Sequence, residues 1–293
     1  MFRDQPSEPE DFDSIVESEA TARRWLLKHC WSNHQRYCPR CKSRKNYHLN
    51  SGRRRCARCR YTYHDFTGRW INNCNLTAQD WVRVLNLFAK ETTARQTSKD
   101  LGLSYNTAYK AMNTIRFAIL AHALDARQLL GPDSALGLSL TGRMLKNEPQ
   151  AKSHIVQTPV FGIMDRKEWV FVDLIPGFDI ETILHFKLNF QLATVRVGNV
   201  VYTDRYQRYD TLICCAGNHP SADYIKGGDS VSIDQDDQGF WRFVSSRLAK
   251  FHGVTPQRFP LYLKELEFRY NSRNKDLMSV LADHLSDFVP ELS

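Results

Sequence analysis

Residues 38–59 read CPRCKSRKNYHLNSGRRRCARC, two Cys-x2-Cys pairs separated by fourteen residues. Each pair fits a tight turn that aims both sulfurs the same way, and two such turns close a four-thiolate tetrahedron around one Zn²⁺. The loop between them, KSRKNYHLNSGRRR, is long enough for a short hairpin and almost bare of apolar side chains. Such a segment builds no core, so the metal has to supply its folding energy. With Cys38, Cys41, Cys56 and Cys59 all as ligands no coordination position stays open, which makes the zinc structural. The acidic N-terminus MFRDQPSEPEDFD is unlike a signal or transit peptide. A reducing compartment follows, and with it metal ligation rather than disulfides.

Around this module the charge is lopsided. The net charge is +8, but between Arg23 and Arg69 there are fourteen Lys and Arg residues and a single acid, Asp65. The chain after about residue 125 is close to neutral. Arginine, tyrosine (Tyr37, Tyr47, Tyr61, Tyr63) and zinc in one segment point to a phosphate backbone, and Arg53, Arg54, Arg55, Arg58 and Arg60 are the leading DNA contacts. A hydrophobic share of 42 % over 293 residues is enough for a real core in two or three modules. No apolar run approaches a membrane span, so a soluble, intracellular protein with no membrane partner is expected. Cys30, Cys74, Cys214 and Cys215 show no ligand spacing and read as idle thiols.

Outward from the zinc module, residues 1–19 read as a disordered acidic tail. Residues 20–75 hold the zinc ribbon and a flanking helix, from Ser18 to His29, that carries Trp25, Leu26 and Leu27. Residues 76–128 are helical. Thr77 caps a helix whose buried stripe is Trp81, Val84, Leu85 and Phe88. Thr93 caps a second helix, Gly102 breaks it, and Ser104 caps a third. Helix, glycine turn, helix, with Leu101 and Leu103 at the corner, is the helix-turn-helix pattern. In that geometry Tyr105, Asn106, Thr107, Tyr109 and Lys110 open the recognition helix, where base edges are reached.

From residue 134 the texture changes to β. SALGLSLTG (134–142) alternates like a strand, and HIVQTPVFGIMD (154–165) with EWVFVDLIPG (168–177) reads as a hairpin. DIETILHFKLNFQL (179–192) reads as a helix, GNVVYTD (198–204) as a strand, residues 217–239 as a loop, and the rest as helices. The sum is an α/β multidomain chain: a zinc ribbon, a helix-turn-helix module, then a mixed α/β domain over 129–293 with helices packed on a sheet.

The segments CPRC…CARC, TPVFGIMDR, VVYTDRYQRYDTL and FWRFVSSRLAKFHGVTPQRFPLYLKELEFRYNSR together resemble bacterial insertion-sequence transposases with an N-terminal zinc ribbon (the ISXO-type group), relatives of the Merlin elements. The resemblance covers about residues 20–275. It implies an RNase H-like catalytic domain that moves DNA with two Mg²⁺ held by acidic or amide side chains. The second acid of that family matches Asp204, and its later tyrosine matches Tyr209. The first matches Gly137, within GLSLTGR, and the third falls on Gln235, within QDDQGFW. Gln238 stands where the family has a glutamate, and Ser245 where it has a lysine. The scaffold is kept and two of three ligand positions carry no carboxylate. Asp204 alone does not hold two divalent cations, so Mg²⁺ enters only with a functional site.

The expectation is therefore a DNA-binding protein of transposase descent with impaired catalysis, bound to element ends or target DNA. It is cytoplasmic and nucleoid-associated, or nuclear in a eukaryote, and a homo-oligomer is compatible with it. Two alternatives stay open. A register slip that recruits Asp133 and Asp237, with Asp173 as a further candidate, makes an active transposase. A domesticated regulator or assembly protein is the other.

Overall fold

The computed structural model describes residues 11–31, 35–131, 135–141, 160–166, 169–175, 243, 247 and 258–291. By internal contacts the chain forms two units, Met1–His122 with Lys275–Glu291, and Ala123–Asn274 with Leu292–Ser293.

The first unit begins with a single turn, α1 (Phe12–Ile15), and α2 (Glu19–Cys30). Ser18 opens α2 with a capping box. Its Oγ accepts from Thr21 N at 3.1 Å, and its own N–H donates to Thr21 Oγ1 at 3.0 Å. Residues 11–19, expected to belong to a disordered tail, are ordered instead: Ile15 is buried, and the Glu19 carboxylate accepts from Ala78 N and Gln79 N at 2.9 and 3.0 Å. That carboxylate caps the N-terminus of α3 (Ala78–Ala89) from outside, while Thr77 caps it locally by accepting from Asp80 N.

Helix α3 buries Trp81, Val84, Leu85 and Phe88, the stripe read from the sequence, and Val82 besides. Thr93 accepts from Gln96 N to start α4 (Ala94–Leu101), and Gly102 ends it in the left-handed conformation (φ 64°). Ser104 accepts from Thr107 N to start α5 (Tyr105–Ala121). Ala108, Ala111, Met112, Ile115 and Ile119 face the core from α5.

One element reaches this unit from the far end of the chain. Helix α9 (Leu277–Ser286) packs on α2, α3 and α5 and on the 3₁₀ turn Trp70–Asn73. It buries Leu281, Ala282 and Leu285. After it, Trp70 N donates to Asp287 O, Val289 N donates to Gly68 O, and Arg69 donates to Ser286 O. The segment 129–293, read from sequence as one domain, is thus shared between the units. Nothing local in LMSVLADHLS distinguishes a helix that stays with its neighbours in sequence from one that returns.

The second unit holds α6 (Ala126–Leu129), α7 (Ala135–Thr141), strands β4 (Val160–Arg166) and β5 (Trp169–Ile175), and α8 (Phe259–Asn271). β4 and β5 form the expected antiparallel hairpin, with Arg166 in register with Trp169. The expected strand at 134–142 is instead helix α7. Its leucines alternate, yet Ala and Leu are strong helix formers and the run has no β-branched residue before Thr141.

Helix α8 packs on β5 and is buried on nearly every side, charges included. Lys264 Nζ lies 2.9 Å from both Asp125 Oδ1 and Glu267 Oε2 and donates to Val172 O. Glu267 accepts from Val172 N at 2.8 Å. Two side chains one helical turn apart therefore satisfy the outward backbone groups of Val172 on the strand. Burial pushes the Glu267 carboxyl up, against the pull of Lys264. The expected elements at 179–192, 198–204 and 217–239 lie outside the described residues, as does nearly all of 239–253. Among the described residues no helix is long and apolar enough to cross a membrane.

Candidate metal centre and nucleic-acid interface

The four ribbon cysteines converge. Each offers a sulfur, and all four lie within 4.8 Å of one another. Cys38 Sγ is 3.6 Å from Cys59 Sγ, and Cys41 Sγ is 3.5 Å from Cys56 Sγ. A tetrahedron with Zn–S bonds of about 2.3 Å has edges of about 3.8 Å, so the thiols already stand near ligand spacing. The donor set is all sulfur, which suits zinc. All six described cysteines are free thiols, and Cys30 and Cys74 are buried, as idle thiols would be.

Local backbone geometry explains the convergence. Lys42 N donates to Cys38 O at 2.9 Å and Arg60 N to Cys56 O at 3.1 Å. Each closes a tight turn over its Cys-x2-Cys pair. Lys42 (φ 57°) and Arg60 (φ 62°) both adopt the left-handed region, which costs a non-glycine residue about 1 kcal/mol. The residue after the second cysteine of each pair carries that strain, and nothing in its type announced it. Backbone N–H groups of Cys59 and Arg58 aim at Cys56 Sγ, at 3.5 and 3.3 Å. The Cys59 N–H leads in drawing the Cys56 thiol down to about 6, so a thiolate is favoured there at neutral pH. Burial pushes Cys38 up to about 11 without metal.

Three short antiparallel strands hold the turns in place: β1 (Asn46–His48), β2 (Arg54–Cys56) and β3 (Thr62–Tyr63). One face of this sheet carries Cys56 and Tyr63, both buried. Arg54 belongs to that face too. It donates to Asn46 Oδ1 at 3.0 Å and to Asp65 Oδ1 at 3.4 Å.

Asp65, the lone acid of the basic stretch, is a hub. Arg23, Arg36 and Arg54 reach it at 3.8, 3.5 and 3.4 Å from α2, the linker and β2. Arg54, expected to contact DNA, is thereby committed to the fold. Arg69 is committed more deeply: it is buried, donates to Asp65 O and Ser286 O, and lies over the rings of Trp31 and Phe288 at 4.3 and 4.2 Å. An isolated acid in a run of cations was the visible signal, and its hub role follows from charge balance.

Asp65 is thus shared by three arginines. Arg40, Lys42, Arg44, Lys45, Arg53, Arg55, Arg58 and Arg60 are all exposed around the thiol cluster, and none forms an ion pair among the described residues. Four of the five arginines expected at DNA are in this set. On the helical side, Tyr105 (53 % exposed), Asn106 and Lys110 reach solvent at the start of α5. Thr107 does not stand free with them, because its hydroxyl bonds Ser104 Oγ at 2.8 Å within the cap. Tyr105 stacks on Tyr109, with ring centroids 5.8 Å apart.

At the residues matched to the transposase ligands, Gly137 is described. It is buried on α7, and a Cβ there would meet the Gly131 carbonyl oxygen at 2.1 Å and that of Leu130 at 2.7 Å. The place a side chain would occupy is filled by backbone. Asp173 sits on β5 in register with Gly162. Asp133, Asp204, Tyr209, Gln235, Asp237, Gln238 and Ser245, as well as Cys214 and Cys215, lie outside the described residues.

Two family models match the chain: the ISXO2-like transposase domain over residues 137–271, and the transposase zinc-ribbon domain over residues 17–62. An uncharacterised transposase-like protein of Haemophilus influenzae is 32 % identical over 89 residues, which are 30 % of this chain and 72 % of that protein. No solved structure matches.

Proposed function

The chain belongs to the ISXO2-like transposase family, and we propose that it is a DNA-binding member whose zinc-ribbon unit grips the phosphate backbone and whose strand-cleavage chemistry is impaired. One observation carries the binding half: eight exposed Lys and Arg side chains surround a four-thiol cluster, and Asp65, the one acid in the sequence between Arg23 and Arg69, is already shared by Arg23, Arg36 and Arg54. Zinc held by those thiols would fix the sheet that presents the cations, and supplies folding energy rather than chemistry. The exposed start of α5, behind the Gly102 turn, is suited to enter a groove, with Tyr105, Asn106 and Lys110 as the groups that reach bases.

Impairment is supported by Gly137. A carboxylate at that position is excluded by the Gly131 and Leu130 carbonyls, not merely missing. Two Mg²⁺ ions need several anionic oxygens to offset their mutual repulsion, and the matched set of Gly137, Asp204 and Gln235 offers one carboxylate. That set does not fit a two-metal centre.

The test is incubation of the full chain with duplex bearing the element's ends, in Mg²⁺ and in Mn²⁺, with binding and nicking measured on the same samples. Binding without nicking is the expected result. Nicking that vanishes in Asp204→Asn would restore the active reading, with Asp133 and Asp237 the next residues to replace.

A further inference from the structure

We propose that the open face of the ribbon's sheet is a stacking platform for an unpaired base of single-stranded DNA. The inference rests on the DNA-binding reading above and adds which form of DNA this face takes.

The sheet has two unlike faces. Cys56, Tyr63 and Arg54 belong to the one turned to the thiol cluster and the Asp65 hub. On the other, the strand register aligns Tyr47 of β1 with Arg55 of β2 and Arg55 with Thr62 of β3. All three are exposed. Side chains alternate along a strand, so Lys45 and Arg53, each two residues before a member of this row, share its face. Both are exposed as well.

Tyr47 is the anomaly. It is 59 % exposed in a unit that buries Trp25, Trp31, Trp70, Trp81 and Tyr63. Tyr61 and Tyr105, also exposed, each stack on a neighbouring tyrosine. Tyr47 has no ring or cation partner among the described residues. An aromatic ring left open in the middle of the edge strand β1 and bordered by three cations matches the chemistry of a nucleobase with its phosphates. A flat ring takes the π-face of the base, and the cations track the backbone. Bases within a duplex are stacked on each other and offer only edges, so the ring selects unpaired DNA. Arg55 and Arg53 are spared for phosphates because Asp65 is taken by Arg23, Arg36 and Arg54.

The experiment uses the zinc-loaded full chain and three fluorescent probes of one sequence: a blunt duplex, the same duplex with an unpaired 3′ tail, and the tail strand alone. Wild type is compared with Tyr47→Ala, Tyr47→Leu and Tyr47→Phe, each checked for zinc content and melting temperature. Stacking on one ring is worth about 1–3 kcal/mol, or roughly 5- to 150-fold in affinity. Tyr47→Ala and Tyr47→Leu should therefore weaken the tail strand and the tailed duplex by about tenfold or more, and leave the blunt duplex within twofold. Tyr47→Phe should keep wild-type affinity, and 2-aminopurine placed in the tail should be quenched by wild type and not by Tyr47→Ala. Equal weakening on all three probes, no weakening on any, or a Tyr47→Phe variant as weak as Tyr47→Ala would overturn the platform. Wild type that binds the blunt duplex while Tyr47→Ala is neutral sinks the platform alone; wild type that binds none of the probes sinks the DNA-binding reading with it.

Discussion

The C-terminal helix should govern the stability of a unit whose other members lie more than 150 residues away in sequence. Leu285 is fully buried on α9, against helices contributed by the first 122 residues. Leu285→Ala removes the methine Cγ and both Cδ methyls and leaves a cavity, which costs about 3 kcal/mol. In a unit of this size that loss corresponds to a melting temperature lower by about 10 °C. Leu281, one turn earlier on the same face and equally buried, is close enough to couple, so the double variant should depart from the sum of the singles. Full truncation after Asn274 goes further. It strips Arg69 of the Ser286 carbonyl and Trp70 N of the Asp287 carbonyl, leaving a buried cation short of an acceptor. Such a loss is comparable to the whole stability of an ordinary domain. The assay is hydrogen exchange read by segment on the full-length Leu285→Ala variant. Faster exchange is expected in 78–89 and 105–121, with 160–175 and 258–271 unchanged. Acceleration confined to 160–175 and 258–271, or none in either, would refute the assignment of α9 to the first unit.

Other consequences are more local. Cys56→Ser should lower zinc to well under one equivalent by elemental analysis, because the remaining three thiols cannot close the tetrahedron; full metal content would remove the zinc assignment. Asp65→Asn should cost about 2 kcal/mol in chemical denaturation, nearly all of it from the well-buried Arg54 pair, since Arg23 and Arg36 are over a third exposed. DNA affinity should hold or rise in that variant, as a negative charge leaves a cationic surface; a stable Asp65→Asn protein would contradict the hub. Acid should weaken the first unit. Burial, with His122 at a ring distance of 3.9 Å, pushes His284 down to about 4, so between about pH 6.5 and 4 the unfolded chain binds the extra proton and stability falls as pH falls. The hydrogen bond from His122 holds the Asp287 carboxyl low, which adds loss in the same direction at the acid end. The His284 share of the loss from pH 7 to pH 4 should be about 3 kcal/mol, and a melting temperature flat across that range would contradict it.

How much of this was legible from sequence depended on whether the cause was local. The caps at Thr77, Thr93 and Ser104, the stop at Gly102 and the paired cysteines are set within a few residues, and each appears where the sequence placed it. The hairpin at 160–175 is local too. The failures share a different origin. Residues 134–142 alternate, but their composition is helical, and period alone misled. The return of α9 depends on a surface completed by α2, α3 and α5 together, which no single window contains. Arg54 and Arg69 look identical to their neighbours in the basic run. Only the position of Asp65 and of the α9 carbonyls separates structural arginines from those left for DNA. The left-handed Lys42 and Arg60 carry no compositional mark, because the metal-binding turn imposes the conformation.

The salt dependence of DNA affinity tests the central claim most directly. If the ribbon's unpaired cations neutralise six or more phosphates, the log–log slope of the association constant against salt should be roughly −5 or steeper for the full chain. Replacing Arg53, Arg55, Arg58 and Arg60 together by alanine should flatten that slope by about 3 to 4, with zinc content and melting temperature kept. Asn106→Ala should relax sequence preference and leave the slope alone. A quadruple variant that keeps the wild-type slope, or a wild-type chain with a slope near zero, would contradict the account.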